Sequence, residues 1–291
     1  MQVADNTLES LAKFSPKLAF IGGGNMSQAI LGGLLAKGQP AGDCFVVDPH
    51  NAARTKIAQW GVTTAAEFDE RLLAANTIVL AVKPQMMQQA LHPLAGMLTG
   101  QLVISIAAGI NIESMANWLG STQPYEPYTH LIRAMPNTPA LIQAGITGLF
   151  ASPGITANER AIADNLLSAV GKTVWFENED MLNAVTAVSG SGPAYVFYFM
   201  EALEMAAIDL GFSADAARLF AKETFLGGAK LAAQTTESPT ELRAKVTSKG
   251  GTTERAIEYF DSAALKSAFI DSVKAACSRS RELGTALAKE K

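Results

Sequence analysis

Two glycine-bearing stretches, far apart in the chain, carry the residue types of anion sites. FIGGGNMSQAI (20–30) sets Gly22-x-Gly24-x-x-Ser27 between a short apolar run and a helical spacing. Gly22 permits a tight turn, and Gly24 lets backbone approach a pyrophosphate held at a helix N-terminus. The third small residue of that fingerprint is usually glycine; Ser27 is small enough for the same helix–strand packing. KVTSKGGTTER (245–255) places small polar residues, a lysine and two adjacent glycines just before a helical pattern. It reads either as a plain loop or as a cradle of backbone N–H groups for a small anion. A third stretch, RAMPNTPALIQAG (133–145), has prolines on both sides of an Asn-Thr pair. Proline fixes φ and removes a donor, so this loop is rigid and holds the Asn137 amide in one place, either for a substrate or simply as part of a structural turn.

The elements that must position these residues follow from hydrophobic pattern. KLAFI (17–21), CFVVD (44–48), TIVLAV (77–82), LVISI (102–106) and HLIRA (130–134) are short apolar runs separated by helix-like segments. Strands alternating with helices predict a doubly wound, mainly parallel sheet covered on both faces, an α/β Rossmann-type domain. TGLFA (147–151) and TVWF (173–176) add edge strands, with a helix between them opened by Thr156 and Glu159 in capping-box spacing. Helical spacing runs from Asn25 to Lys37. After Phe176 strands disappear. Pro193 to Leu210 is apolar almost all round, Ala214 to Gln234 is a second helix, and Ser238, Pro239 and Glu241 open a third. Asp261 to Ala288 reads as one long helix. The expected organisation is a tail (1–16), a dinucleotide domain (17–177) and an all-helical domain (178–291). A helix apolar on every side needs cover from outside so small a domain, which predicts a dimer interface.

Asp48, closing the second strand, sits where an acid bonds a ribose 2′-hydroxyl and favours NAD. Just beyond it, His50, Asn51, Arg54 and Lys56 could equally meet a 2′-phosphate, or simply form a solvated helix start. AVKP (81–84) and SIAAG (105–109) lie at strand carboxyl ends, where open α/β sheets bind ligands. Lys83 there is either a surface lysine or, given its place between an apolar strand and Pro84, a cofactor edge; small Ala107 and Ala108 would admit a nucleotide closely or simply serve tight packing.

Composition bounds the rest. With 48% hydrophobic and 17% charged residues the chain can bury a sizeable core. A net charge of −4 without a basic run gives no footprint for nucleic acid. Cys44 and Cys277 are isolated and His50, His92 and His130 are scattered, so neither a disulfide framework nor a metal site is expected. The stretch from Ala184 to Met200 is interrupted by SGSGP and makes a poor membrane span. A soluble, cytoplasmic protein in a reducing compartment is the expectation.

The ordered set FIGGGNM, AVKP, SIAAG, RAMPNTPA, AVSGSGPAY and VTSKGGTT resembles the pyrroline-5-carboxylate reductases, over about Leu18 to Leu283. The resemblance implies a helical dimerisation domain, homodimers often built into larger rings, and hydride transfer to a cyclic imine, giving proline. The donor it implies is NADPH, with NADH possible. It further implies that Gly22, Gly24, Asn25 and Met26 lie on the cofactor phosphates, and that Val82, Lys83, Pro84, Ala107 and Ala108 line its path. Ser248, Gly250, Gly251, Thr252 and Thr253 correspond to the substrate loop. On that footing Ser248 and the amides from Gly250 to Thr253 hold the single carboxylate of the substrate. The Thr253 hydroxyl then lies near the ring nitrogen, as a proton donor or an orienter of substrate or water. The family more often carries proline where this chain has Lys249, which implies a less rigid loop.

Two other readings share the plan. β-Hydroxyacid dehydrogenases also join a dinucleotide domain to a helical one, but their pattern includes a catalytic lysine followed four residues later by asparagine. Here Lys222 is followed by ETFL and Lys230 by LAAQ. A non-catalytic nucleotide sensor would keep the fold, yet has no need of intact MPNTPA, SGSGPAY and GGTT stretches.

Overall fold

The computed structural model describes residues 17–122 and 124–289; the expected tail, 1–16, lies outside the described residues. Compactness divides the chain into two units, Met1–Gly190 with Cys277–Lys291, and Ser191–Ala276.

The first unit is built on β1 (Leu18–Ile21), β2 (Cys44–Val47), β3 (Thr63–Ala65), β4 (Thr77–Leu80), β5 (Leu102–Ser105), a small hairpin of β6 (Ser121–Thr122) and β7 (Tyr125–Glu126), then β8 (Leu131–Met135), β9 (Gly145–Ala151) and β10 (Gly171–Trp175). Eight of these form one sheet in the order β10-β9-β8-β5-β4-β1-β2-β3. Every neighbouring pair is parallel except β8 and β9. Strand order reverses at β1, between β4 and β2, which creates the crevice where such sheets bind ligands.

Both faces are apolar because both are covered. Leu18 and Phe20 of β1 pack with Ile30 and Leu31 of α1 (Asn25–Ala36) on one face. Ala19 and Ile21 join the opposite cluster. Between β2 and β8 run α2 (Asn51–Ala58), α3 (Arg71–Ala74), α4 (Met87–Leu91) and α5 (Ile112–Leu119). Met87 and Leu91 of α4 and Met115 and Leu119 of α5 complete that second cluster. After β9 comes α6 (Ala157–Leu167), whose Thr156–Glu159 capping box forms as its spacing predicts. The three-residue β3 was not expected from the pattern, and β9 and β10 both start earlier than the apolar runs suggest.

The expected boundary near 177 and the observed division differ. α7 (Met181–Val185) and a π-helical turn (Thr186–Gly190) stay with the first unit. Contacts explain it: a Cβ on Gly148 in β9 would lie 2.8 Å from Val185, and Asn137 holds the Ser189 carbonyl.

The second unit contains α8 (Gly192–Asp209), α9 (Ala214–Ala233), α10 (Pro239–Lys245) and α11 (Thr252–Ser262), with the first half of α12 (Leu265–Lys289). The Ser238–Glu241 capping box forms as expected. The single helix expected from Asp261 to Ala288 is instead interrupted, because Ala264 takes φ 53°. A left-handed residue ends a helix; here alanine adopts it, so no glycine marks the break. α8 packs on α9, and Tyr195 and Phe199 meet Phe269 of α12 with ring centroids 5.7 Å apart. No residue of α8 is buried in the single chain.

Candidate active site

The glycine turn after β1 is wired by its neighbours. Gly22 takes φ 99°, and a Cβ there would lie 2.7 Å from the Ala81 carbonyl oxygen at the end of β4. Only glycine satisfies both conditions. Ser27, in the place of the usual third glycine, is 1% exposed and donates its hydroxyl to the Gly22 carbonyl at 2.6 Å. Gln28 donates to the Gly23 carbonyl at 2.8 Å. Gly24 is the N-cap of α1, with no side-chain cap, no acid in the first turn, and open space where a Cβ would stand. The first amides of α1, from Asn25 and Met26, therefore lack an internal acceptor. An uncapped helix start beneath an open glycine fits a pyrophosphate by both shape and charge.

Asp48 has internal partners. Its carboxylate is 7% exposed and points inward, accepting from the Gly23 N–H at 2.6 Å through one oxygen and from the His50 N–H at 2.7 Å through the other. The His50 ring Nδ1 lies 3.1 Å from the same second oxygen. Both oxygens thus brace the glycine turn and the β2–α2 loop. Arg54 is tied in too, donating to the carbonyls of Asp48 and Pro49 at 2.7 and 2.8 Å and to the Asn51 side chain at 3.2 Å. His50, the N-cap of α2, and Lys56, in its last turn, are left exposed.

The other expected cofactor residues gather at the same carboxyl edge. Ala81 follows β4 and donates to the Ile21 carbonyl at 2.8 Å; half-buried Val82 and exposed Lys83 lead into a short turn opened by Pro84. After β5, the Ala107 N–H reaches Ser105 Oγ at 3.3 Å, with Ala107 buried and Ala108 half-buried. A residue not expected here is Gly284 of α12, where a Cβ would lie 2.5 Å from the Gly109 carbonyl oxygen. Its signal in sequence was a glycine inside a helical pattern.

Asn137 is likewise held by backbone groups. It is 9% exposed; its carbonyl oxygen accepts from the Ile146 N–H at 2.9 Å and its amide donates to the Ser189 carbonyl at 3.1 Å. With backbone partners on both sides it joins the MPNTPA loop to β9 and to the π-helical turn. Nearby, buried Arg133 donates to Glu179 at 2.6 Å, and the same Glu179 oxygen accepts from the Ile112 N–H at 2.7 Å.

In the second unit, the late glycine segment is a turn followed by a helix. Gly251 N–H donates to the Ser248 carbonyl at 3.0 Å, and Gly250 takes φ 71°, the signature of a type II turn over Ser248–Gly251. Gly251 is the N-cap of α11 and offers no side-chain cap. Gly250 N–H is taken by Glu254 Oε2 at 2.6 Å. The expected row of four amides is therefore shortened: that of Gly251 has its partner within the loop and that of Gly250 in the first turn of α11, while those of Thr252 and Thr253 open the helix. Ser248 is exposed and Thr253 half-buried. Among the described residues no group of three His, Cys, Asp or Glu could hold a metal, and no described helix is long and apolar enough to cross a membrane.

Residues 179–283 match the family model for pyrroline-5-carboxylate reductase dimerisation, and 17–109 match that for NADP oxidoreductase, coenzyme F420-dependent. A pyrroline-5-carboxylate reductase of Pseudomonas aeruginosa is 42% identical over 94% of this chain and 98% of its own. Among solved structures, a pyrroline-5-carboxylate reductase from Coxiella burnetii shares 38% identity with a TM-score of 0.85, covering 92% of this chain and 98% of that one. The Plasmodium falciparum pyrroline carboxylate reductase, solved with NADP bound, shares 25% with a TM-score of 0.79, covering 93% and 99%.

Proposed function

The chain belongs to the pyrroline-5-carboxylate reductase family, and from that premise we propose that it reduces the C=N bond of 1-pyrroline-5-carboxylate to L-proline, the last step of proline biosynthesis. NADPH supplies the hydride that the imine carbon accepts. Gly24, Asn25 and Met26 would hold its pyrophosphate, with Val82, Lys83, Pro84, Ala107 and Ala108 along the strand ends beside it. The uncapped helix start at Thr252 and Thr253 suits the substrate carboxylate, for which no arginine is needed. The Thr253 hydroxyl hydrogen-bonds the ring nitrogen. A protonated imine already accepts hydride well, so orientation is the main contribution of the protein. We assign the cofactor to residues 17–177 and the substrate carboxylate to 178–291. The two free cysteines suit a reducing compartment, and we place the reaction in the cytoplasm.

The observation that carries this reading is the pair of uncapped helix starts, each preceded by glycine and each free of a side-chain cap. One fits a pyrophosphate and the other a carboxylate. The test is the fall in NADPH absorbance with pyrroline-5-carboxylate, set against oxidation of 2-hydroxy acids in the reverse direction. Tight cofactor binding with no turnover of either would return the protein to the class of nucleotide sensors. Thr253→Ala is expected to lower kcat by about tenfold, the worth of one hydrogen bond to a charged group, with cofactor affinity unchanged. Wild-type kinetics in that variant would remove Thr253 from the mechanism.

A further inference from the structure

The turn over Ser248–Gly251 has a weak point at its centre. A type II turn favours proline at its second position, where the ring presets φ, and glycine at its third. This chain meets the second demand with Gly250 and leaves the first to Lys249, a residue without that constraint. A Lys-Gly-Gly sequence has a large conformational entropy to lose on ordering. Besides the turn's own Gly251–Ser248 hydrogen bond, the loop is held by Glu254, whose Oε2 accepts from the Gly250 N–H at 2.6 Å. Glu254 stands in the first turn of α11 and reaches back past the N-cap to the residue before it. That reach ties the positive-φ glycine to the helix and so sets the direction in which the amides of Thr252 and Thr253 point.

We propose that Glu254 is a positioning residue: its carboxylate locks the Ser248–Gly251 turn in the shape that receives substrate, doing by hydrogen bond what proline at position 249 would do by covalent constraint. The inference rests on the reading of this loop as the carboxylate site. A rival role exists for a carboxylate so placed, that of competing with the substrate for the amides. The geometry favours the lock, because Glu254 takes the Gly250 amide and leaves those that open the helix.

The two roles predict opposite kinetics. Glu254→Ala, assayed with NADPH and pyrroline-5-carboxylate, is expected to raise KM for the imine about three- to tenfold, the range of one exposed hydrogen bond. KM for NADPH and kcat should move less than twofold. Glu254→Gln keeps an acceptor and should stay near wild type. Lys249→Pro added to Glu254→Ala should restore KM for the imine, while amide exchange at Gly250 remains fast. A lower KM in Glu254→Ala would establish competition and overturn the lock, and so would failure of Lys249→Pro to rescue. Gly250 exchange in wild type and Glu254→Ala, without substrate, tests the lock separately: equal rates would overturn it. Absence of imine reduction by the wild-type protein would instead overturn the functional reading.

Discussion

Asp48, in the position of a ligand, is also a brace for the turn beside it. A carboxylate 7% exposed, with one backbone N–H on each oxygen, is an internal brace. Hydrogen bonds to a charged group contribute roughly 1.5–3 kcal/mol each, so Asp48→Asn is expected to loosen the glycine turn. KM should rise about tenfold or more, and by the same factor for NADPH and NADH, because the pyrophosphate they share is affected. A loss confined to NADH in steady-state assays would mean that the acid touches the ribose after all. Much of the site was legible at this scale. Gly22 and Gly24 announce themselves by type and spacing, whereas the inward turn of Asp48 depends on Gly23 lying across from it in the turn after β1, 25 positions away. The dual hold of Asn137 on Ile146 and Ser189 is equally invisible, since its partners are carbonyl and amide groups 9 and 52 positions away. Glu254 could have been suspected, as an acid in the first turn of a helix with no capping side chain.

Between elements, the best-read features were those with local causes. Both capping boxes stood out by their Ser/Thr-x-x-Glu spacing, and the buried strands by unbroken apolar runs. β3 was missed because Thr63-Thr64-Ala65 is short, polar and at the sheet edge. The break at Ala264 was missed because no glycine or proline marks it. Neither the sequence pattern nor propensity foretold that the far half of α12 docks on α7. There Arg281 donates to both oxygens of Asp180, at 3.0 and 2.6 Å, and Ser280 donates to Asn183 at 2.8 Å. The Arg281 hydrogen bond holds the Asp180 carboxyl below its ordinary value. A lowered folded pKa gives stability that is full above the unfolded value, about 3.9, and is lost as pH falls through the folded one. Arg281→Ala should therefore lower the urea midpoint slightly at pH 7, the pair being exposed, and the difference from wild type should vanish once pH has fallen below the folded pKa of Asp180. A gap that persists in acid would show that Arg281 acts by packing rather than by charge.

At the scale of the whole molecule, the apolar surface of the second unit is the feature that a single chain does not explain. Phe197, Tyr198 and Leu210 are 64%, 69% and 81% exposed along a helix read from sequence as apolar on every side. The match of 179–283 to a dimerisation model accounts for it, and the protein is a homo-oligomer. Phe197→Glu places a charge on that face, and sedimentation should show a shift towards monomer with loss of reductase activity; an unchanged sedimentation coefficient would move the contact elsewhere. Chain order adds a consequence. Ser191–Ala276 is an insertion, since the polypeptide leaves the nucleotide unit after Gly190 and re-enters it at Cys277. During synthesis the ribosome must therefore deliver the entire helical module before the segment carrying Ser280, Arg281 and Gly284 can close over the Gly109 strand end. Nucleotide capture on a nascent chain should start only after that closing segment has emerged from the exit tunnel.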